Sequence, residues 1–435
     1  MRASQRDTGL LRAVGPVALA ASIICQTVGA AIFVVPATLA LNIGVYAPLA
    51  ILGCGLAMGM VAICFAEGGS RVPTSGGAYG YIEAAFGPLA GYVAGTLLWV
   101  SNVLASGGVA AALGDVIASL AAPPFAAPVR AAVIVASLGA IAAVNSWGVA
   151  RGAGLIKAAT LVKLLPLAVF LAVGTWWVRA ENFSGAALPG TQGVGRALIL
   201  ALFAYTGLEV ALSASGEVAQ PNRTIPRALA VAMLSIIALY VAIQVVAQGI
   251  LGASLAESSA PLADAMARIS PLLRALMLAG AALSMFGMMT SDLLGSPRQL
   301  FAFGRDGLLP RVLGRVHPGS RAPYVAILTY AAIAAVLALT GTFAELAVLA
   351  TLGSAAIYAG GSAAAWRLAR HGVALAGPAL GFPFLGAAAS LAVASMAVVI
   401  ALAAREEILG LAALAVLAAL VYLIQTHAAP ARPRA

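Results

Sequence analysis

From about residue 15 to residue 426 the chain is a succession of apolar stretches, joined by short segments that hold most of its charge. Most of the stretches are long enough to cross the roughly 30 Å hydrocarbon core of a bilayer. Of the 435 residues, 62% are apolar and only 9% are charged, whereas a water-soluble domain is about 45–50% apolar and about 25% charged. No soluble core of this length absorbs that much apolar surface. The chain therefore reads as an all-α polytopic membrane protein.

Twelve helical spans are expected, near 15–40, 45–66, 86–112, 129–149, 153–178, 194–215, 225–251, 273–304, 322–340, 343–366, 380–403 and 408–426. The eighth is expected to continue past Arg298, because "QLFAFG" keeps an apolar helical face. The loops leave no room for a further globular domain, so residues 1–435 read as one transporter-like domain. With twelve spans both termini share one side, and that side collects sixteen arginines against six opposite. Positively charged loops stay cytoplasmic, so both termini are expected in the cytoplasm of a cell-membrane protein. The N-terminus, "MRASQRDTGLLRAVG", is read as retained sequence ahead of the first span rather than a cleaved signal.

The net charge of +10 does not indicate nucleic acid, since the basic residues sit between apolar runs, where they orient helices. Cys25, Cys54 and Cys64 fall within the first two spans and show neither metal-ligand spacing nor a disulfide framework. No metal and no cofactor is expected. His317, His371 and His427 are far apart in loops or tails, and no HExxH-type motif is present. A membrane-embedded enzyme is thus poorly supported. A channel would carry rings of charge or repeated filter backbone, and neither is visible. A transporter is the leading reading, with a transporter-like sensor distinguishable only by flux.

Two spans look interrupted. The first contains "QTVGAAIFVVPATLAL", with Gly29, Ala30 and Ala31 at mid-span and Pro36 five residues on. Small residues let a backbone leave the helical path, and proline removes a donor. Close helix packing explains small residues equally well. The sixth span tips the balance: in "LILALFAYTGLEVALSASGEV", Gly207 lies at mid-span after Phe203, Tyr205 and Thr206 and before an intramembrane Glu209. The two spans correspond if spans 1–5 (15–178) and 6–10 (194–366) are inverted repeats, with 380–426 as accessory helices. Paired glycine-interrupted segments mark the binding site of such transporters. Unwound backbone offers N–H groups to a carboxylate and carbonyls to an ammonium. One site could then hold both ends of an α-amino acid.

The ordered motifs "VGAAIFVVP", "EGGSRVPTSGGAYGYIEAAFGPLAGY", "KLLPLAVF", "FAYTGLEVALSASGEVAQPNRTIPRA" and "PRQLFAFGRDGLLPRVLGRVHPGSRAP" give the chain a resemblance to the amino acid–polyamine–organocation superfamily of permeases. The resemblance runs from about residue 12 to 366. It implies a 5+5 inverted-repeat core, alternating access, and amino acids or related amines as substrates. By motif position the substrate site comprises Thr27, Gly29, Ala30, Ala31, Phe203, Thr206 and Gly207. The N–H groups of Ala30 and Ala31 would take the carboxylate, and the carbonyls of Thr27 and Phe203 the amine. Where the family usually has a glycine–serine–glycine break, this chain has Gly29-Ala30-Ala31, so no hydroxyl is available there. Phe203 matches the aromatic that covers bound substrate.

Three charges inside the spans need partners. Asp292, in "FGMMTSDLLGSPRQ", costs roughly 2.5–3.5 kcal/mol even on lenient insertion scales. Counted from Arg305 and Arg151, Asp292 and Lys163 lie at similar depths, roughly 18–20 Å from one side at 1.5 Å per residue. The resemblance implies that a lysine at the position of Lys163 replaces a bound sodium in relatives without sodium coupling, and it places Asp292 opposite that lysine. A Lys163–Asp292 ion pair and sodium-independent transport, proton-coupled or by exchange, are therefore expected. Glu209 is the other candidate partner for Lys163 and a candidate proton carrier, with a structural role equally open. Glu209 is also the only obvious acid at the pocket, which favours a neutral amino acid over a polyamine or a cationic one. Lys157 reads as snorkelling to the interface. Glu67, Arg71 and Glu83 read as an intracellular gate or a turn, and Trp176 and Trp177 as an interfacial belt. The expected partners are thus an amino-acid substrate, protons and membrane lipid; the sequence leaves the oligomeric state open.

Overall fold

The computed structural model describes residues 15–72, 77–146, 163–184, 189–209, 218, 220–305, 307, 309–318, 320, 322–374 and 379–428. Lys157, Arg151, Asp306, the "PTSG" of the 67–92 motif and the terminal arginines lie outside them. The described residues form helices joined by turns, with no β-strand among them. In chain order the helices are α1 Pro16–Thr27, α2 Ala31–Ile43, α3 Ala47–Arg71, α4 Gly77–Phe86, α5 Pro88–Ala118 and α6 Pro123–Ser146. There follow α7 Lys163–Trp177 and α8 Thr191–Ala204, then α9 Pro221–Leu251, α10 Pro261–Ala267, α11 Pro271–Gly295 and α12 Pro297–Arg305. The chain closes with α13 Tyr324–Thr340, α14 Phe343–Arg370, α15 Leu385–Ala401 and α16 Arg405–Ala428.

Local chemistry sets many of these boundaries. Proline opens α1, α5, α6, α9, α10, α11 and α12, at the helix position where its missing N–H and fixed φ cost nothing. The side chain of Thr342 and that of Glu345 form a reciprocal capping box at the start of α14. Gly44, at φ 56°, turns the chain between α2 and α3.

Among the described residues seven helical runs are long and apolar enough to cross a membrane, and four shorter apolar helices accompany them. The protein is an integral membrane protein. Each of the twelve expected stretches contains a described helix, and the eighth does run on, from Pro271 to Arg305, with a turn at Ser296. Two short helices, α4 and α10, were not expected; Glu83 falls on α4, where its Cβ would be 2.7 Å from a Cβ placed on Gly91. Burial separates the core from the periphery. In the most apolar windows of α5 and α14, 72% and 67% of residues are buried by protein, against 22% for α6 and 6% for α16. The exposed faces of α6 and α16 are apolar, as contact with lipid requires. Trp176 and Trp177 stand exposed at the end of α7, as an interfacial belt would have them.

Glu67, Ser70 and Arg71 stand at the end of α3. They clasp the linker between α14 and α15. Arg71 donates to the buried Glu67 carboxylate (2.7 Å) and to the Val373 carbonyl (3.0 Å). The N–H groups of Gly381 and Phe382 donate to Glu67, and that of Leu380 to the Ser70 hydroxyl. Removing one partner of a buried pair strands the other, at a cost of about 3–5 kcal/mol. Glu67→Ala should therefore lower the thermal unfolding temperature of the detergent-solubilised protein markedly, and Glu67→Leu combined with Arg71→Met should recover part of that loss.

Candidate functional site

Both expected interruptions are present. The helical hydrogen bonding of α1 stops at Thr27, the chain unwinds over Val28–Ala30, and α2 starts at Ala31. Helix α8 stops at Ala204, Tyr205–Gly207 form a turn, and helical residues resume at Leu208. The two breaks touch. A Cβ on Gly207 would lie 3.0 Å from the Gln26 carbonyl oxygen and 3.4 Å from the Thr27 nitrogen. Gly207 has φ 115°, a conformation that side-chain-bearing residues rarely adopt. Glycine is required there twice, by backbone conformation and by close approach.

Unpaired carbonyls cannot be left in an apolar interior, and neighbouring helices satisfy them. The Tyr240 hydroxyl of α9 donates to Thr27 O (2.8 Å), and the Ser284 hydroxyl of α11 to Gly29 O (3.1 Å). Gly29 N–H also donates to Thr27 O, and Thr206 donates to Phe203 O through both its N–H and its hydroxyl. This corrects one expectation. A carbonyl has two lone pairs, and those of Thr27 and Phe203 each already accept two bonds, so neither is open to a substrate amine in this conformation. The N–H groups of Ala30 and Ala31, by contrast, carry no hydrogen bond among the described residues, and α2 has no side-chain cap.

A small, partly open cavity lies against the second break. Phe203, Thr206, Gly207, Glu209 and Asp292 line it, whereas the first break contributes Gln26. Thr27, Gly29, Ala30, Ala31 and Lys163 are not in its wall. Phe203 stands edge-on to Phe343, ring centroids 5.6 Å apart. Glu209 is buried and accepts from the Tyr358 hydroxyl of α14 (2.6 Å) and from Gly207 N–H (3.1 Å). Asp292 accepts from Ser106 of α5 and from Ser296 (both 2.5 Å), and from the Tyr330 hydroxyl of α13.

Asp292 is thus held by hydroxyls; Lys163 is not among its described partners. Packing gives the reason. Pro166 of α7 sits against Gly280 of α11, where an added Cβ would meet it at 2.4 Å. Lys163 is three residues from that contact and Asp292 twelve. At 1.5 Å per residue this separates the two charges by roughly 13 Å along the helices. Lys163 is buried, three residues before the Pro166 that packs on Gly280.

Several wall and support residues were not singled out in the sequence: Ser101 and Asn102 of α5, Met288, Ser354, and the tyrosines 240, 330 and 358. The polar cluster "SNVLAS" inside an otherwise apolar helix was the available signal for Asn102 and Ser106, because polar groups at membrane depth face protein or a cavity.

Among the described residues the site is a cavity beside two helix breaks in a helical membrane bundle. The profile of the amino acid permease family matches residues 14–405, and the chain belongs to that family. Relatives include the methylthioribose transporter of Bacillus subtilis, 28% identical over 68% of each chain. The branched-chain amino acid permease BcaP of the same organism is 27% identical over 81% of this chain and 80% of its own. An uncharacterised transporter of Mycobacterium tuberculosis is 33% identical over 68% and 70%.

Replacing Gly207 by alanine puts a methyl against the Gln26 carbonyl and strains the backbone. Gly207→Ala should leave membrane insertion and yield near wild type but reduce substrate binding at least tenfold, as measured with purified protein. Wild-type binding by this variant would make the contact between the breaks ordinary packing.

Proposed function

We propose that this permease is a secondary active transporter that carries amino acids across the cytoplasmic membrane by alternating access. The observation that carries the reading is the contact between two helix breaks beside a cavity whose wall contains carboxylates. In this reading residues 15–178 and 194–366 are inverted repeats within a twelve-span chain, 380–426 are accessory helices, and both termini face the cytoplasm. A half-helix N-terminus favours an anion, so the N–H groups of Ala30 and Ala31 are assigned to the substrate carboxylate. Glu209, bonded to Gly207 N–H at the second break, is assigned to the amine and is the candidate for carrying a coupling proton. Phe203 covers the bound substrate with apolar area and a π face. Thr206 and Gly207 shape the second break.

The reading also keeps transport sodium-independent. Lys163 is a buried amine on α7, the helix whose Pro166 packs on α11, and α11 also supplies the Ser284 that holds Gly29 O; in this reading its ammonium serves the first break. An ammonium there does the work of a bound cation. BcaP and the methylthioribose transporter carry names with different substrates, so the names of relatives do not choose among them. The preference for a neutral amino acid rested on Glu209 as the sole acid, and Asp292 in the same wall removes that premise.

Purified protein in proteoliposomes, offered a panel of labelled amino acids, should accumulate at least one of them against empty-liposome controls. Uptake should be abolished by esterifying the carboxylate or acylating the amine of that substrate, and unchanged when choline replaces sodium. Uptake that requires sodium would overturn the role given to Lys163. Failure to move any amino acid would overturn the transport assignment.

A further inference from the structure

We propose that Asp292, clamped by Ser106, Ser296 and Tyr330, forms a cation subsite in the cavity wall, and that the transported amino acid carries a second cationic group on its side chain. The inference rests on the amino-acid transport reading above and specifies its substrate class.

Two carboxylates, Glu209 and Asp292, face one cavity, and no lysine, arginine or histidine is among the described residues that line it. They share no hydrogen-bond partner, so they are separate subsites rather than a dyad holding one proton between them. Glu209 belongs to the second break through Gly207 N–H. Asp292 belongs to another part of the wall, with Asn102 and Ser101 of α5.

The directions of the hydrogen bonds show what Asp292 is arranged to meet. Asn102 Nδ2 donates to the Ser296 hydroxyl (2.9 Å), and that hydroxyl donates to Asp292 Oδ1 (2.5 Å). Ser106 and Tyr330 both donate to Oδ2. Among the described residues each hydrogen-bond partner of the Asp292 carboxylate is a hydroxyl, and none of them is a cation. Hydroxyl donors orient the carboxylate and lower its desolvation cost, but they bring no positive charge. A half-buried carboxylate held in this way is best compensated, when ionised, by a cation that arrives with the substrate.

The spacing pre-organises the subsite. Asn102 and Ser106 are four residues apart on α5, and Asp292 and Ser296 are four apart on one face of α11 and its end. The subsite therefore lies on two rigid helices, with Tyr330 of α13 behind it. A neutral aliphatic side chain placed against this wall would desolvate the carboxylate without replacing its water. An ammonium or guanidinium would replace that water. Selectivity for the charged side chain then follows from the penalty on the neutral one as much as from the attraction.

The test is equilibrium binding of L-lysine and L-leucine to the full-length purified protein, with each ligand also measured as a proteoliposome substrate. Wild type should bind L-lysine at least tenfold more tightly than L-leucine. Asp292→Asn keeps an acceptor for the hydroxyls and removes the charge. It should weaken L-lysine at least tenfold while L-leucine affinity rises, so that the preference inverts. Tyr330→Phe, which loosens the clamp and keeps the carboxylate, should lose part of the L-lysine preference. Wild type binding L-leucine as well as or better than L-lysine would overturn the proposal and leave amino-acid transport standing. An Asp292→Asn protein that folds, by an unchanged thermal unfolding profile, and keeps the wild-type preference would overturn it equally. Binding of no amino acid at all would instead strike the transport reading on which it rests.

Discussion

A helix that breaks inside hydrocarbon exposes carbonyls and N–H groups that no water can satisfy, and the rest of this bundle is arranged around supplying them with partners. Thr27 and Gly29 release carbonyls at the first break, and two other helices answer them, α9 through Tyr240 and α11 through Ser284. At the second break Thr206 satisfies Phe203 locally, while Tyr205 reaches Ile51 O of α3 at 3.0 Å. Each such bond fixes the register of one helix against another. Small residues then allow the approach: Gly207 lets the two breaks meet, Gly55 admits Tyr205, and Gly280 admits Pro166. The glycine content of this chain is therefore tied to polar satisfaction as well as to packing.

Charge is handled differently at the centre and at the margin. At the margin Glu67 and Arg71 neutralise each other and tie down the linker to α15. At the centre each carboxylate is met by a tyrosine hydroxyl from another helix, Tyr358 for Glu209 and Tyr330 for Asp292. The distinction has a physical consequence. An ion pair cancels charge and makes a joint, whereas a hydroxyl shell positions a carboxylate and leaves its charge to be met by something that comes and goes. Donors of this kind suit a binding site; a fixed cation would close it.

The sequence made the spans and both breaks legible, because long apolar runs and small residues at mid-span act locally. Glu209 and Asp292 were legible as costly intramembrane groups for the same reason. What they bond to was not, since ten tyrosines are interchangeable until the topology is known, and only three of them meet the site through their hydroxyls. The depth assigned to Asp292 rests on a count with a definite weakness. Counting back from Arg305 assumes one straight helix, yet the chain turns at Ser296, between α11 and α12. Rise per residue does not accumulate through a turn, and the Lys163–Asp292 pairing depended on that sum. The clasp at Glu67 was out of reach because its partners lie more than 300 residues away in sequence.

The side-chain hydrogen bonds also divide the bundle into two groups that meet at the cavity. Tyr240 with Thr27, Tyr205 with Ile51 and Cys54 with Leu198 join α1, α3, α8 and α9. Asn102 with Ser296, Ser106 and Tyr330 with Asp292, and Arg130 with Asp115 and Ala338 join α5, α6, α11 and α13. Among the described side-chain bonds, those that link the first group to α11 at the breaks are Gln26 with Ser291 and Ser284 with Gly29. Tyr358 of α14 adds the bond to Glu209. Among the described side-chain bonds, relative motion of the two groups would break few, and those lie beside the cavity. Two of the three end on a break or on a carboxylate of the cavity wall. A substrate whose amine replaces Tyr358 at Glu209, or whose carboxylate draws the α2 N-terminus, would therefore act directly on the bonds that hold the seam. In such a scheme binding and motion would be coupled by the few described hydrogen bonds across the cavity.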